Sequence, residues 1–200
     1  MLTPAELQRE AAATGFRAEA LEKVIRLLEV LDGVRSHPFL KSRMVLKGGT
    51  ALNLFVLDVP RLSVDIDLNY IGAADRETML AERPKVEQAL QAVFGRLGLQ
   101  VKRVPSDHAG GKWRLSYSGV DGRSGTLEVD VNFMLRTPLW PLVRADSCRL
   151  GSFGISGVPV LDIHELVAGK LAALFGRTAS RDLFDMHGLL TAGSFDAERL

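Results

Sequence analysis

Arg61-Leu62-Ser63-Val64-Asp65-Ile66-Asp67-Leu68, preceded by Val45-Leu46-Lys47-Gly48-Gly49-Thr50, is the stretch whose reading decides the fold. In a strand, successive side chains alternate faces, so Asp65 and Asp67 point the same way, roughly 7 Å apart along the backbone. Val64, Ile66 and Leu68 then take the opposite, buried face. Arg61 and Ser63 fall on the aspartate face by the same alternation. Two carboxylates converging at a strand end repel each other, and a divalent cation between them removes that cost. Oxygen ligands with no Cys or His nearby favour Mg²⁺ or Mn²⁺ over zinc.

Lys47-Gly48-Gly49-Thr50 supplies the other half. A glycine pair between a strand and a helix lets backbone N–H groups approach an anion closely, and the helix presents its positive end to the same point. Alone, the glycine pair reads equally as a tight turn, and Asp-x-Asp as a solvated strand end. In this order, a phosphate cradle and then a two-carboxylate metal site, they are chemistry for a nucleoside triphosphate (NTP).

Lys47-Gly48-Gly49-Thr50-Ala51-Leu52, followed by Arg61-x-Ser63-x-Asp65-Ile66-Asp67-Leu68, resembles the AbiE-type abortive-infection nucleotidyltransferase toxins, which include the MenT-type toxins. These belong to the DNA polymerase β-like nucleotidyltransferase superfamily, and the resemblance runs from about residue 20 to residue 190. It implies an α+β fold: a mixed sheet flanked by helices, with a small C-terminal helical lobe. Residues 1–158 are expected to form the nucleotidyltransferase core with its N-terminal helices, and residues 159–200 a helical segment completing the active site.

The resemblance also implies roles. Lys47, Gly48, Gly49 and Thr50 hold the β- and γ-phosphates of an NTP donor, and Asp65 and Asp67 hold Mg²⁺ or Mn²⁺ against the α-phosphate. Ser63 binds a phosphate oxygen, and Arg61, on the same face, steers phosphate. A third carboxylate on a neighbouring strand completes the metal site. In Leu127-Glu128-Val129-Asp130-Val131-Asn132-Phe133 the residues Glu128, Asp130 and Asn132 share one face. Asp130 is the candidate third acid, Glu128 the next, and a hairpin with a wet outer face is the plain alternative.

Glu165-x4-Lys170-Leu171, then Arg177 and Arg181-Asp182-x-x-Asp185, looks like the family's helical motif. By that match Lys170 contacts the triphosphate and Asp185 orients it. Val167, Leu171 and Leu174 surround Lys170 on a helix, where an unpaired ammonium is costly and an anionic partner resolves the cost. A lysine snorkelling at the core margin fits the same pattern. For Asp182 and Asp185 the plain alternative is surface pairing such as Arg181–Asp185, worth a few tenths of a kcal/mol. Arg177 and Arg181 read equally as contacts to RNA phosphate or as helix-end cations.

The 200 residues, 46% apolar and 24% charged, make an ordinary globular chain with one sizeable core. A net charge of +1 gives no global basicity, so RNA contact needs a local patch. Lys41, Arg43, Lys102, Arg103, Lys112 and Arg114 are the candidates. The single Cys148 excludes an internal disulfide and fits a reducing cytosol. No long apolar run or basic-then-apolar leader is evident, so no membrane partner and a cytoplasmic location are expected. The four histidines, at 37, 108, 164 and 187, form no ligand spacing.

Along the chain, Thr3-Pro4-Ala5-Glu6 opens a first helix that stops near Gly15, and 17–33 form a second. Strands are expected at 44–46 and 62–69, and helices at 50–57 and 76–97. Further strands are expected at 99–104, 113–117 and 126–133, with a glycine-containing loop at 107–111. The stretch 136–157 reads as loop, and helices follow at 162–175 and 180–190.

Such toxins pair with a cognate antitoxin, and several modify the 3′ end of tRNA, so an RNA acceptor and an antitoxin are the partners implied. Many members continue into a larger helical lobe, whereas this sequence stops at Leu200. Two other readings share the fold: a non-catalytic nucleotide- or partner-binding module, and an antibiotic-modifying nucleotidyltransferase.

Overall fold

The structure, a computed structural model, describes residues 2–104, 110–177, 179–193 and 195–200. Asp107, His108 and Ala109 of the expected loop lie outside the described residues, as does the side chain of Arg103.

The strand of the two aspartates lies mid-sheet. β2 (Asp65–Tyr70) is flanked by β1 (Met44–Lys47), antiparallel to it, and by β5 (Ser124–Asn132), parallel to it. β5 pairs antiparallel with β4 (Gly110–Ser118), which pairs antiparallel with β3 (Gln100–Val104). On the other side, β1 pairs in parallel with β7 (Val158–Val160), and β6 (Val143–Ala145) closes that edge. Among the described residues the order is β3-β4-β5-β2-β1-β7-β6, in a mixed α+β fold.

Strand alternation sorts the residues as the sequence predicts. Ile66, Leu68, Leu127, Val129, Val131, Trp113 and Leu115 are all buried, on the face that carries the core. Over that core lies α2 (Ala18–Ser36), which buries Leu21, Val24, Ile25, Leu28 and Leu31 against β5 and β7, and touches α4 (Arg76–Arg96). A helix with an apolar residue every third or fourth position has no other way to remove that stripe from water. α1 (Pro4–Thr14) carries the expected capping box, Thr3 and Glu6 exchanging hydrogen bonds, and ends at Gly15 with φ 72°. Tyr70, at the end of β2, donates to Glu82 of α4 at 2.7 Å, and Arg43 donates to both Glu82 oxygens at 2.8 Å. Arg43 and Tyr70 hold the Glu82 carboxyl at about 2, well below the ordinary range.

Two expectations are corrected. The stretch 136–157, expected as loop, contains β6 and leads into β7. Three-residue strands are too short to show a period, so their pairing comes from the sheet and not from local pattern. The second strand also starts at Asp65 and not at Leu62, so residues 62–64 approach the site as irregular chain.

Candidate active site

Lys47 ends β1 directly opposite Asp67 of β2. The chain then turns through Gly48 at φ +74°, a left-handed conformation suited to glycine. A Cβ on Gly48 would overlap the Asp67 carboxylate, coming within 3.0 Å of its Cγ. A Cβ on Gly49 would come within 3.0 Å of Ser63 Oγ and 3.4 Å of Arg61 Nη2. Both glycines therefore let backbone and functional side chains share a space that any side chain would fill. α3 (Gly48–Ala51) follows and widens into a π-helical turn over Leu52–Val56.

Thr50 does something other than expected. It is fully buried, and its hydroxyl donates to the backbone carbonyl of Asp65. That side chain is spent on fixing the start of β2.

Asp67 lies in register with Asp130 of β5, and Asp65 with Glu128. Burial raises the Asp67 carboxyl above the ordinary aspartate range. Lys47 works against that rise, while Asp130 and Asp65 add to it. Lys112 of β4 covers the neighbouring acids, 2.7 Å from Glu128 and 3.3 Å from Asp130. Glu128 also accepts from Arg114 at 2.9 Å, and these two cations hold its carboxyl below the usual range. Among the described residues no group of three or more His, Cys, Asp and Glu side chains is arranged to hold a metal. Two carboxylates on one strand face do match the way Mg²⁺ is held, by one or two carboxylates and the phosphates of a nucleotide.

The third part comes from α5 (Ile163–Arg177) and α6 (Ser180–Ala192). Lys170 is buried, and its ammonium stands 3.0 Å from Asp182 and 2.8 Å from Asp185, both fully buried. Arg177 grips Asp182 through two hydrogen bonds of 2.7 and 3.0 Å. Arg61 grips Asp185 at 2.8 and 2.6 Å, and Asn53 adds a third bond at 3.2 Å. Burial pushes the Asp185 carboxyl up, but the bonds from Arg61 and Lys170 outweigh it and leave it lowered. The guanidinium of Arg61 is thus paired with Asp185. Asp182 and Asp185 face inward and not toward Arg181, so the surface-pair alternative does not hold.

Sheet face and α5 enclose a cavity of about 680 Å³. Lys47, Gly48, Gly49, Asp67 and Lys170 line it, and Arg177 adds a cation. Ser63, Asp65, Asp130 and the Arg61–Asp185 pair lie outside its wall. The wall also has an apolar and aromatic part, with Leu135, Pro138, Leu139 and Trp140. Glu165 holds that segment by accepting the backbone N–H groups of Leu139 and Trp140 at 3.0 and 3.1 Å. His164, also in the wall, accepts the N–H of Asp196 on Nε2, so its Nδ1 proton goes to Asp162, 2.6 Å away.

Sequence reasoning passed over Asn53, Asn69, Trp140 and the inward role of Asp182. Only Asn69 had a signal, since it shares the parity of Asp65 and Asp67. Three of the expected RNA-receiving cations are tied up in ion pairs. Arg43 is tied to Glu82, and Lys112 and Arg114 are tied to Glu128.

A family model described as nucleotidyl transferase AbiEii toxin, type IV toxin–antitoxin system, matches residues 29–200. Among solved structures, the chain is similar to MenT4, a nucleotidyltransferase toxin from Mycobacterium tuberculosis H37Rv. That match has a TM-score of 0.65 and 25% identity, and covers 99% of this chain and 67% of that one. It is also similar to ANT(2")-Ia in complex with adenylyl-2"-tobramycin, with a TM-score of 0.51 and 14% identity, over 88% of this chain and 91% of that one. The second likeness speaks for the fold alone. No curated protein sequence matches this chain.

Proposed function

This chain belongs to the AbiEii nucleotidyltransferase toxin family, and we propose that it transfers a nucleotide from an NTP to an RNA hydroxyl, at the 3′ end of a tRNA, with Mg²⁺ or Mn²⁺. The observation that carries this reading is one cavity walled by Asp67, the Gly48–Gly49 turn and the buried Lys170. Anion seat, metal-holding carboxylate and fixed cation meet there, and a triphosphate needs all three.

In this reading the backbone at Gly48 and Gly49 takes the β- and γ-phosphates, with Ser63 beside them. Lys47 and Lys170 offset their charge. Asp65 and Asp67 are the residues that would hold the metal, which supplies charge neutralisation at the attacking and leaving oxygens. The acceptor hydroxyl attacks the α-phosphorus in line, the bond to the bridging oxygen breaks, and pyrophosphate leaves against Lys170. Asp130, in register with Asp67, takes the hydroxyl proton once Lys112 gives up its ion pair. Asp185 and Arg61 act through Lys170, holding its ammonium in place.

The RNA acceptor is carried by the family likeness and not by a basic surface, and a cognate antitoxin is the functional partner. Among the described residues no helix is long and apolar enough to cross a membrane. We read residues 159–200 as the helical segment that completes the active site. Incubation with total RNA and each labelled NTP, run beside Asp65→Ala, tests the proposal. Label should enter an RNA band with the wild type only. Near-wild-type transfer by Asp65→Ala would show the assignment to be wrong.

A further inference from the structure

One side-chain amide joins the glycine turn to the lysine bracket. Asn53, on the π-helical turn that follows α3, is fully buried. Its Nδ2 donates to the carbonyl of Gly49 at 2.9 Å and to Oδ1 of Asp185 at 3.2 Å. That nitrogen carries two N–H bonds, and both are used here. Chemistry fixes the orientation of the amide, since an oxygen turned to the same place would face two acceptors. Asp185 in turn holds Lys170, 2.8 Å from its Oδ2. Gly49, Asn53, Asp185 and Lys170 therefore form a continuous chain of contacts from the turn to the buried ammonium.

Neither acceptor depends on that amide for its own hydrogen bonding. The Gly49 carbonyl already accepts the backbone N–H of Leu52. Asp185 already holds Arg61 at both oxygens and Lys170 at one. Among the described residues, the Oδ1 of Asn53 has no hydrogen-bond partner although it is buried. A buried acceptor left unanswered costs free energy, and an apolar residue of similar shape would avoid that cost. An apolar residue could not, however, tie the two groups together. The two bonds are redundant for stability and unique as a link.

Phosphoryl transfer is catalysed mainly by placing charge where charge develops. A triphosphate seated at the glycine turn needs the Lys170 ammonium at a set distance from its leaving oxygens. Resting on the nucleotidyl-transfer reading above, we infer that Asn53 is a positioning residue that fixes Lys170 relative to the glycine turn. It does not line the cavity, so it acts through Asp185 and not on the nucleotide. Its loss should leave the anion seat able to bind an NTP and displace the ammonium at the moment pyrophosphate leaves.

The test compares wild type with Asn53→Leu and Asn53→Ser by single-turnover transfer of label from an NTP to total RNA, calorimetric NTP binding and thermal melting. Asn53→Leu should melt close to wild type and bind the NTP as tightly. Its transfer should be slower by roughly tenfold to a hundredfold, as a displaced catalytic group gives. The hydroxyl of Asn53→Ser can reach only the Gly49 carbonyl one turn back, so its rate loss should match. A donor series supplies a readout that a structural role would not move. A β,γ-difluoromethylene NTP has a more acidic leaving group that needs Lys170 less, and a β,γ-methylene NTP has a less acidic one that needs it more. The deficit of the variants should shrink with the first and widen with the second. An equal deficit with all donors, a wild-type rate in both variants, or failure of both to fold would overturn the inference and leave nucleotidyl transfer standing. A well-folded wild type that neither binds nor transfers nucleotide would sink both readings together.

Discussion

Arg61 clamps Asp185 with two hydrogen bonds, 2.8 Å from Nε and 2.6 Å from Nη2, across 124 residues of chain. The arginine stands in the approach to β2 and the aspartate on α6, so this pair joins the two halves of the site. Arg61→Ala should lower stability by about 3 kcal/mol, because a fully buried carboxylate loses its fork-shaped partner. Arg61→Lys should recover only part of that, since an ammonium cannot reproduce the two-pronged geometry. Urea denaturation measures both. An Arg61→Ala protein as stable as wild type would show that Lys170 and Asn53 suffice for Asp185.

Asp67 gives a pH signature. Its folded carboxyl is raised by burial and by its acidic neighbours, so the folded state holds that proton more tightly than the unfolded chain does. The proton's stabilising effect is fully present below the ordinary aspartate value and is lost as pH rises through the raised folded value. At neutral pH the ionised group is therefore a liability that Asp67→Asn removes. That variant should melt above wild type near pH 7, with the gap closing on acidification, while nucleotide transfer is abolished at every pH. Melting curves from pH 4 to pH 8 report the trend, and a gap that widens toward acid would contradict it.

Asp182 offers a separation of roles. Together with Asp185 it brackets Lys170, and Arg177 holds it in place. Asp182→Asn keeps the shape but weakens the grip on Lys170, so transfer should fall by about tenfold, the worth of one charge-assisted hydrogen bond. Lys170→Met should abolish transfer and also destabilise the fold, leaving two buried carboxylates with one partner fewer each. Single-turnover rates beside melting temperatures distinguish the two. Equal losses of rate in Asp182→Asn and Lys170→Met would mean that Asp182 does more than position the lysine.

Lys112 tests the third acid. It neutralises Asp130 and Glu128 on the strand beside Asp67. If Asp130 joins the metal site, Lys112→Met should tighten Mn²⁺ binding several-fold by freeing that carboxylate, and Lys112→Met/Asp130→Asn should return it to the wild-type value. Titration with Mn²⁺ by electron paramagnetic resonance reads both. Unchanged affinity in Lys112→Met would leave Asp65 and Asp67 as the whole protein share of the metal site.

Much of the fold was legible because it is written in local patterns. The capping box at Thr3, the apolar stripe of α2, and the alternation through β2 and β5 each depend on residues a few positions apart. What escaped depends on partners far along the chain. β7 exists because β1 offers an edge, and Asp182 turns inward because Lys170 waits there. Arg61 shows the same limit from the other side. Its place on the metal face says nothing of the fully buried carboxylate on α6 with which its guanidinium pairs. Thr50 followed the motif in position but turned its hydroxyl to the backbone, a choice that only packing decides. Asn69 was within reach of parity alone, and went unread because an amide beside two aspartates looks unremarkable until it is found buried and unanswered.

The reach of the Arg61–Asp185 clamp has a consequence for synthesis. Domains fold as they leave the ribosome, earlier segments first. Here the glycine turn and the aspartate strand emerge long before α5 and α6, which supply Lys170 and its bracket. A nascent chain still holding residue 185 in the exit tunnel has an anion seat without its fixed cation. The anion seat and its fixed cation therefore come together only once α5 and α6 are clear of the ribosome.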